Sequence, residues 1–281
     1  MKITIAKNSG FCFGVKRAVD IVEKLSSGRD KIYTNGPIIH NPQVIRSLSR
    51  QGVKTLNSSD DALRLRDGLL VIRTHGMKKD FPEAVSKKVR VIDATCPFVG
   101  RAQRIVKKLS AEGRKVIILG DAHHPEVEGL VSYAEDAAVI KTPREASKLD
   151  LRGRIGFLSQ TTQSVGDFAA ISRYIKKRNA EAMIFDTICR TTSLRQSEVE
   201  KLARKSDIMV VVGGKNSANT KRLAAISRKH TVTYHIETSR ELKKSWFVGK
   251  KLSVGIAAGA STPDRITREV AGRIKKISAG R

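Results

Sequence analysis

Cysteines, aromatic residues and acidic side chains are all scarce in this chain of 281 residues. Its three cysteines, Cys12, Cys96 and Cys189, are odd in number and far apart, which excludes a disulfide framework. Aromatics make up 5% of the chain, leaving little on which bases could stack, so a general nucleic-acid partner is not expected. No apolar run approaches the roughly 18 residues needed to span a bilayer. The opening MKITIAKNSG is too poor in apolar residues for a signal-peptide core. Together these absences predict a soluble, cytoplasmic protein with no membrane partner. Acidic residues number 27 against 54 Lys and Arg, a formal net charge of +27. Such an excess suits an anionic substrate, an acidic protein or nucleic acid, but the basic residues are spread along the chain and form no tail. At 40% hydrophobic and 29% charged, the chain is too apolar for disorder and long enough for two or three domains.

What is present is a repeat around the cysteines. The segments read CFGVKRAVDIVEKL, CPFVGRAQRIVKKL and CRTTSLRQSEVEKL. Val22, Val106 and Val199 lie ten residues after a cysteine, and Leu25, Leu109 and Leu202 thirteen after, a spacing that predicts an amphipathic helix. Gly36, Gly120 and Gly213 follow at 24 residues, each closing a strand-like run: KIYTNG, KVIILG, DIMVVVGG. At 28 residues come His40, His124 and Ser217, where Pro42, Pro125 and the stretch Ser217–Thr220 signal helix starts. A second strand-like run then ends in a polar loop: LLVIRTHG with His75, RIGFLSQTTQS with Thr161 and Thr162, and LSVGIAAGASTPD with Ser261. After the last of these, Thr262 is expected to cap a helix with Pro263 in its first position. VRVIDATC and AMIFDTIC lead into Cys96 and Cys189 as strands, and KITIAKNSGFC leads into Cys12.

The expected fold is α/β: three βα units at 13–95, 96–188 and 189–281, the third completed by an N-terminal strand within 1–12. That strand closes a pseudo-threefold ring in which three cysteines and six polar loops face one centre. Ligands in parallel sheets bind at the carboxyl ends of strands. Three thiolates without C-x₂-C pairs suit an iron–sulfur cluster better than zinc, with buried structural thiols as the plain alternative. An iron left without a protein ligand is open to a substrate oxygen. His40, His75, His124, Thr161, Thr162, Ser217, Asn219 and Ser261, with helix N-termini, make a donor-rich pocket for phosphate oxygens. His123 is off the repeat and is expected to be structural or exposed, and His230 and His235 are given no role. Glu126 has no counterpart, because Pro42 and Asn219 occupy its equivalent positions. A lone carboxyl among anion-binding donors repels phosphate, but it suits a proton relay, with a raised pKa if desolvated. Its plain alternative is a first-turn Glu favoured by the helix dipole.

The motifs GFCFGV at 10–15, GPIIHNP at 36–42, RTHG at 73–76, DATCP at 93–97, HPE at 124–126, SQTT at 159–162 and the S-x-N loop at 217–219 occur in this order. With them the chain resembles the LytB-type iron–sulfur 4-hydroxy-3-methylbut-2-enyl diphosphate reductases over essentially its whole length. The resemblance implies a trefoil of three α/β domains around one central 4Fe–4S cluster held by Cys12, Cys96 and Cys189. It implies an allylic diphosphate substrate whose hydroxyl meets the open iron and leaves as water, giving isopentenyl and dimethylallyl diphosphates at the end of the non-mevalonate isoprenoid pathway. Glu126 would supply protons, Thr161 or Thr162 would lie beside the substrate hydroxyl, and His40, His75, His124, Ser217, Asn219 and Ser261 would hold the diphosphate. The required electrons point to an acidic carrier such as a ferredoxin or flavodoxin. One departure is Ala218, where the family loop usually has Ser. Two other readings stay open: an open-iron enzyme resembling quinolinate synthase, which needs no electrons, and a nucleic-acid-binding protein with a structural cluster.

Overall fold

The runs KVIIL, IGFLS and IMVVV have no polar face, the pattern of parallel strands covered by helices on both sides. In a computed structural model, which describes residues 1–249 and 251–279, these runs form sheet centres. Residues 280 and 281, the end of the expected third unit, lie outside the described residues, as does residue 250.

The strands are β1 Lys2–Ile5, β2 Ile32–Asn35, β3 Lys54–Leu56, β4 Leu69–Ile72, β5 Arg90–Asp93, β6 Lys115–Leu119, β7 Ala137–Ile140, β8 Ile155–Ser159, β9 Met183–Ile184, β10 Ile208–Val212, β11 Val232–Ile236 and β12 Ser253–Ala258. The helices are α1 Phe13–Ser26, α2 Pro42–Arg50, α3 Ser59–Leu63, α4 Phe81–Ser86, α5 Pro97–Ala111, α6 Pro125–Val131, α7 Pro143–Ala146, α8 Val165–Arg178, α9 Arg190–Ala203, α10 Ala218–Arg228 and α11 Asp264–Ala279. The chain divides into two compact bodies, one of residues 1–13, 40–42 and 190 onward, the other of residues 14–39 and 43–189.

The first body holds a four-stranded parallel sheet ordered β11–β10–β12–β1. The expected N-terminal strand does complete it, with Lys2 opposite Ser253 and Ile5 opposite Ile256. Alternate residues of β10 feed two cores: Ile208, Val210 and Val212 pack with Ile266, Val270 and Ile274, and Met209 and Val211 with Val199 and Leu223. The second body holds two parallel sheets, β3–β2–β4–β5 and β7–β6–β8–β9. Around β6, Ile117 and Leu119 meet Phe168, Ile171 and Ile175, while Val116 and Ile118 meet Ala102, Val106 and Leu130.

All three sheets share one order, so the repeat is a repeat of topology. In each, the chain leaves an inner strand for the edge, then returns to that strand's other side. Connections from the two central strands therefore run in opposite directions and leave a crevice at their carboxyl ends. The loops after β2 and β4, β6 and β8, and β10 and β12 occupy those positions.

Two expectations need correction. The edge strands β3, β7 and β11 were not foreseen, because they are partly exposed, carry little apolar signal and, unlike the edge strands β1, β5 and β9, do not lead into a cysteine. Thr262 is not a cap: its hydroxyl donates to the Val212 carbonyl at 3.1 Å, and α11 begins at Asp264 after Pro263. A fully buried hydroxyl is drawn to the nearest buried carbonyl, here the last of β10.

Phe157 is fully buried and stacked on Phe168, with ring centroids 5.2 Å apart. Phe157→Ala should lower stability by about 3–5 kcal/mol in chemical unfolding.

Candidate active site

Each cysteine sits just ahead of a helix and donates its backbone N–H to a crevice loop. Cys12 bonds the Ala260 carbonyl at 3.0 Å, Cys96 that of Thr74 at 3.0 Å, and Cys189 that of Thr161 at 2.9 Å. Residues 74, 161 and 260 are equivalent positions after β4, β8 and β12, so one device is built three times. All three cysteines are partly exposed and none is in a disulfide.

Within the second body, Glu126 is only 1% exposed. It accepts the Thr161 N–H at 2.6 Å on one carboxylate oxygen and the Thr161 hydroxyl at 2.9 Å on the other. Thr161 thus joins Glu126 to the backbone of Cys189. His124 caps α6 with its own ring, Nδ1 accepting the Glu126 N–H at 3.1 Å. That bond places the proton of a neutral imidazole on Nε2. His75 lies edge-on to His124, with centroids 5.2 Å apart. Thr162 accepts from Gln160 Nε2 at 3.2 Å, and Gln160 Oε1 accepts the Asp121 N–H at 3.1 Å. His75, His124, Glu126, Thr161, Cys96 and Cys189 therefore belong to one body, linked by direct contacts or through the loop after β4. A methyl at Gly14 would lie 2.5 Å from the Cys96 sulfur, so only glycine fits there.

Within the first body, the Ser261 hydroxyl donates to the His40 carbonyl at 3.2 Å. Ser217 caps α10, its oxygen accepting the Thr220 N–H at 3.3 Å. Asn219 is 5% exposed, and neither its amide oxygen nor its amide nitrogen has a partner among the described residues. Burying an unpaired amide costs about 1–3 kcal/mol in proteins, and Asn219 bears that cost. Ala218 opens the helix, where its N–H has no intrahelical acceptor.

The sequence did not single out Thr74, Gln160, Gly14 or His235. Thr74 is buried, and its hydroxyl donates to the Ile38 carbonyl at 3.0 Å. Its signal was available, because it occupies the position of Thr161. His235 had been set aside, yet its Nε2 lies 2.9 Å from the Gly213 carbonyl, bracing the loop that leads to Ser217. His123 is exposed as expected.

A family model described as LytB protein matches residues 3–275. The chain belongs to the LytB family. Its LytB relatives include the 4-hydroxy-3-methylbut-2-enyl diphosphate reductases of Geotalea daltonii, 47% identical, and Pelobacter propionicus, 45% identical. The alignments cover 99% of this chain in both cases, and 98% and 99% of those proteins. A solved structure of (E)-4-hydroxy-3-methyl-but-2-enyl diphosphate reductase, the terminal enzyme of the non-mevalonate pathway, is 42% identical. It matches with a TM-score of 0.70 over 98% of this chain and 99% of its own. The Plasmodium falciparum E-1-hydroxy-2-methyl-but-2-enyl-4-diphosphate reductase is 27% identical, with a TM-score of 0.90 over 96% of this chain and 87% of its own. The LytB fold of three parallel α/β units is thus shared across these proteins.

Burial holds the His235 pKa below the usual histidine range, outweighing the Gly213 carbonyl, which pulls it up. The folded protein therefore favours neutral His235, and stability present above the unfolded pKa is lost as pH falls towards the folded one. His235→Gln keeps a donor for Gly213 but does not titrate. Thermal stability measured from pH 8 to pH 5 should fall less in this variant than in the parent.

Proposed function

We propose that this chain is a 4-hydroxy-3-methylbut-2-enyl diphosphate reductase. It removes the allylic hydroxyl of its substrate with two electrons and two protons, giving water and isopentenyl or dimethylallyl diphosphate. The observation that carries the reading is the buried Glu126, with both carboxylate oxygens on Thr161, whose carbonyl accepts from Cys189.

The cysteines fit a 4Fe–4S cluster. They are three soft donors in equivalent positions, partly exposed and outside any disulfide. Held by Cys12, Cys96 and Cys189, such a cluster would supply electrons and an iron with an open position to act as a Lewis acid. The protein's part is to hold the substrate and deliver protons. A proton taken up by Glu126 reverses its bond with the Thr161 hydroxyl, which, as both donor and acceptor, passes the proton outward. Thr162, whose hydroxyl Gln160 orients, lies on the same loop beside the substrate hydroxyl.

The diphosphate is held by neutral donors. These are His124, through Nε2–H, and His75 in one body, and His40, Ser261, Ser217, the amide of Asn219 and the N-terminus of α10 in the other. Ala218 removes one hydroxyl from this set, but its backbone N–H still faces outward from the first helical turn. We place the enzyme in the cytoplasm. Among the described residues no helix is long and apolar enough to cross a membrane.

Anaerobically purified protein should contain roughly four iron and four sulfide per chain and reduce the substrate. Glu126→Gln retains size and hydrogen-bonding capacity but cannot release a proton. It should lower kcat by roughly 10²–10⁴ and leave KM within a few-fold. A raised KM with unchanged kcat would make Glu126 a binding group and remove the relay.

The donor we propose is an acidic carrier of the ferredoxin or flavodoxin type. Cys96 lines a cleft of about 360 Å³ whose other walls include Arg104, Lys107 and Gln103. The net charge of +27 far exceeds what one diphosphate requires. Turnover driven by an acidic carrier should drop steeply as salt screens charge over about 8–10 Å. Turnover driven by a small uncharged reductant should not, and parallel salt curves would dismiss the steering.

A further inference from the structure

Among the described residues only two charged side chains are buried, Glu126 and Arg195. Glu126 is accounted for by Thr161. Arg195 lies on α9, the helix that follows Cys189, and is 3% exposed. Its guanidinium donates through Nη1 to the Ala258 carbonyl at 3.0 Å and through Nη2 to the Gly10 carbonyl at 2.7 Å. Ala258 ends β12, and Gly10 stands two residues before Cys12. One fork therefore ties the cysteine loop to the strand beside it.

Glu198, three residues further on and so on the same face of α9, grips the start of that loop. It accepts the Asn8 N–H at 2.8 Å, the Asn8 side-chain amide at 2.7 Å and the Lys7 N–H. Gly10 closes the arrangement from the other side. It has φ of 95°, and a methyl there would lie 1.7 Å from a carboxylate oxygen of Asp264. The segment between β1 and Cys12 thus has its N–H groups on a carboxylate, its carbonyl on a guanidinium and no room to move sideways. A buried guanidinium is costly to desolvate, and here what offsets that cost includes backbone carbonyls on both sides of the cysteine loop. A lysine, a single point donor, would not span both carbonyls.

We propose that Arg195, assisted by Glu198, is a positioning residue that fixes the direction of the Cys12 thiol and thereby its hold on the cluster. The role in cluster binding rests on the function proposed above. The clamp on Cys12 does not.

The test uses the full chain carrying Arg195→Met, Arg195→Lys or Glu198→Gln. In metal-free protein, alkylation by iodoacetamide is followed at each cysteine by peptide mass spectrometry. The clamp requires the Cys12 rate to change several-fold while those of Cys96 and Cys189 stay in their parental ratio. In cluster-loaded protein, iron should pass to a ferrous chelator on the order of 10–100-fold faster, the usual effect of removing a group that orients a ligand. Arg195→Lys should recover little of either loss. Should Arg195→Met not fold, Glu198→Gln, at a partly exposed site, reads the same two rates. Equal changes at all three cysteines, or none, would reduce Arg195 to a packing residue. A Cys12-selective change in a chain that takes up no cluster would uphold the clamp and overturn the cluster.

Discussion

Each cysteine segment depends on the same hydrogen bond, made three times, from a cysteine backbone N–H to the carbonyl of a crevice loop. Singly such a bond contributes about 0.5–1.5 kcal/mol, too little to matter for stability. Its importance is geometric. The segment carrying each cysteine must leave an outer strand and turn into a helix, and the bond fixes where that turn occurs relative to the sheet's switch point. Thr74, Thr161 and Ala260 supply the three carbonyls, and their side chains differ because the backbone alone makes the contact. The side chains are thereby free for other work, which at Thr161 is to hold Glu126.

This freedom explains why the three units diverged in chemistry while their topology stayed the same. The position 28 residues after the cysteine caps a helix through the ring of His124 in one unit and the hydroxyl of Ser217 in another. Two residues later, Glu126 accepts from Thr161, while Asn219 presents an amide without a partner among the described residues. One frame therefore offers a carboxylate in one loop and neutral polar groups in others. A carboxylate beside every loop would repel a diphosphate, so a single acid among several neutral donors is the arrangement the chemistry favours.

Much of this was legible in the sequence because the repeat is set by length. A helix of about fourteen residues, a turn and a strand of four or five place the next polar loop at a fixed distance from the cysteine, whatever the loop contains. The inner strands announced themselves through unbroken apolar runs. The edge strands β3, β7 and β11 did not, since β3 is KTL and β11 begins with an exposed Val232, whereas the edge strands β1, β5 and β9 were read from the runs that lead into the cysteines. Thr262 reads as a cap by local rules, but the Val212 carbonyl, fifty residues away, claims its hydroxyl. The need for glycine at 14, the brace from His235 and the fork of Arg195 are likewise contacts between distant segments. Local pattern carries no trace of them.

The charge distribution follows the same division between frame and function. Of all the Lys, Arg, Asp and Glu side chains described, only Glu126 and Arg195 are buried, and each serves a loop that carries or touches a cysteine segment. Burying an ion is tolerable only with hydrogen bonds in return, so a chain with this much basic charge would be expected to keep it outside. Among the described residues the buried exception is Arg195, a planar cation that bridges the carbonyls of Gly10 and Ala258. The acid and the base differ in kind: Glu126 can gain or lose a proton, whereas Arg195 cannot be deprotonated at ordinary pH and so can only hold. Among the described residues the two buried charges are thus one that can exchange a proton and one that cannot.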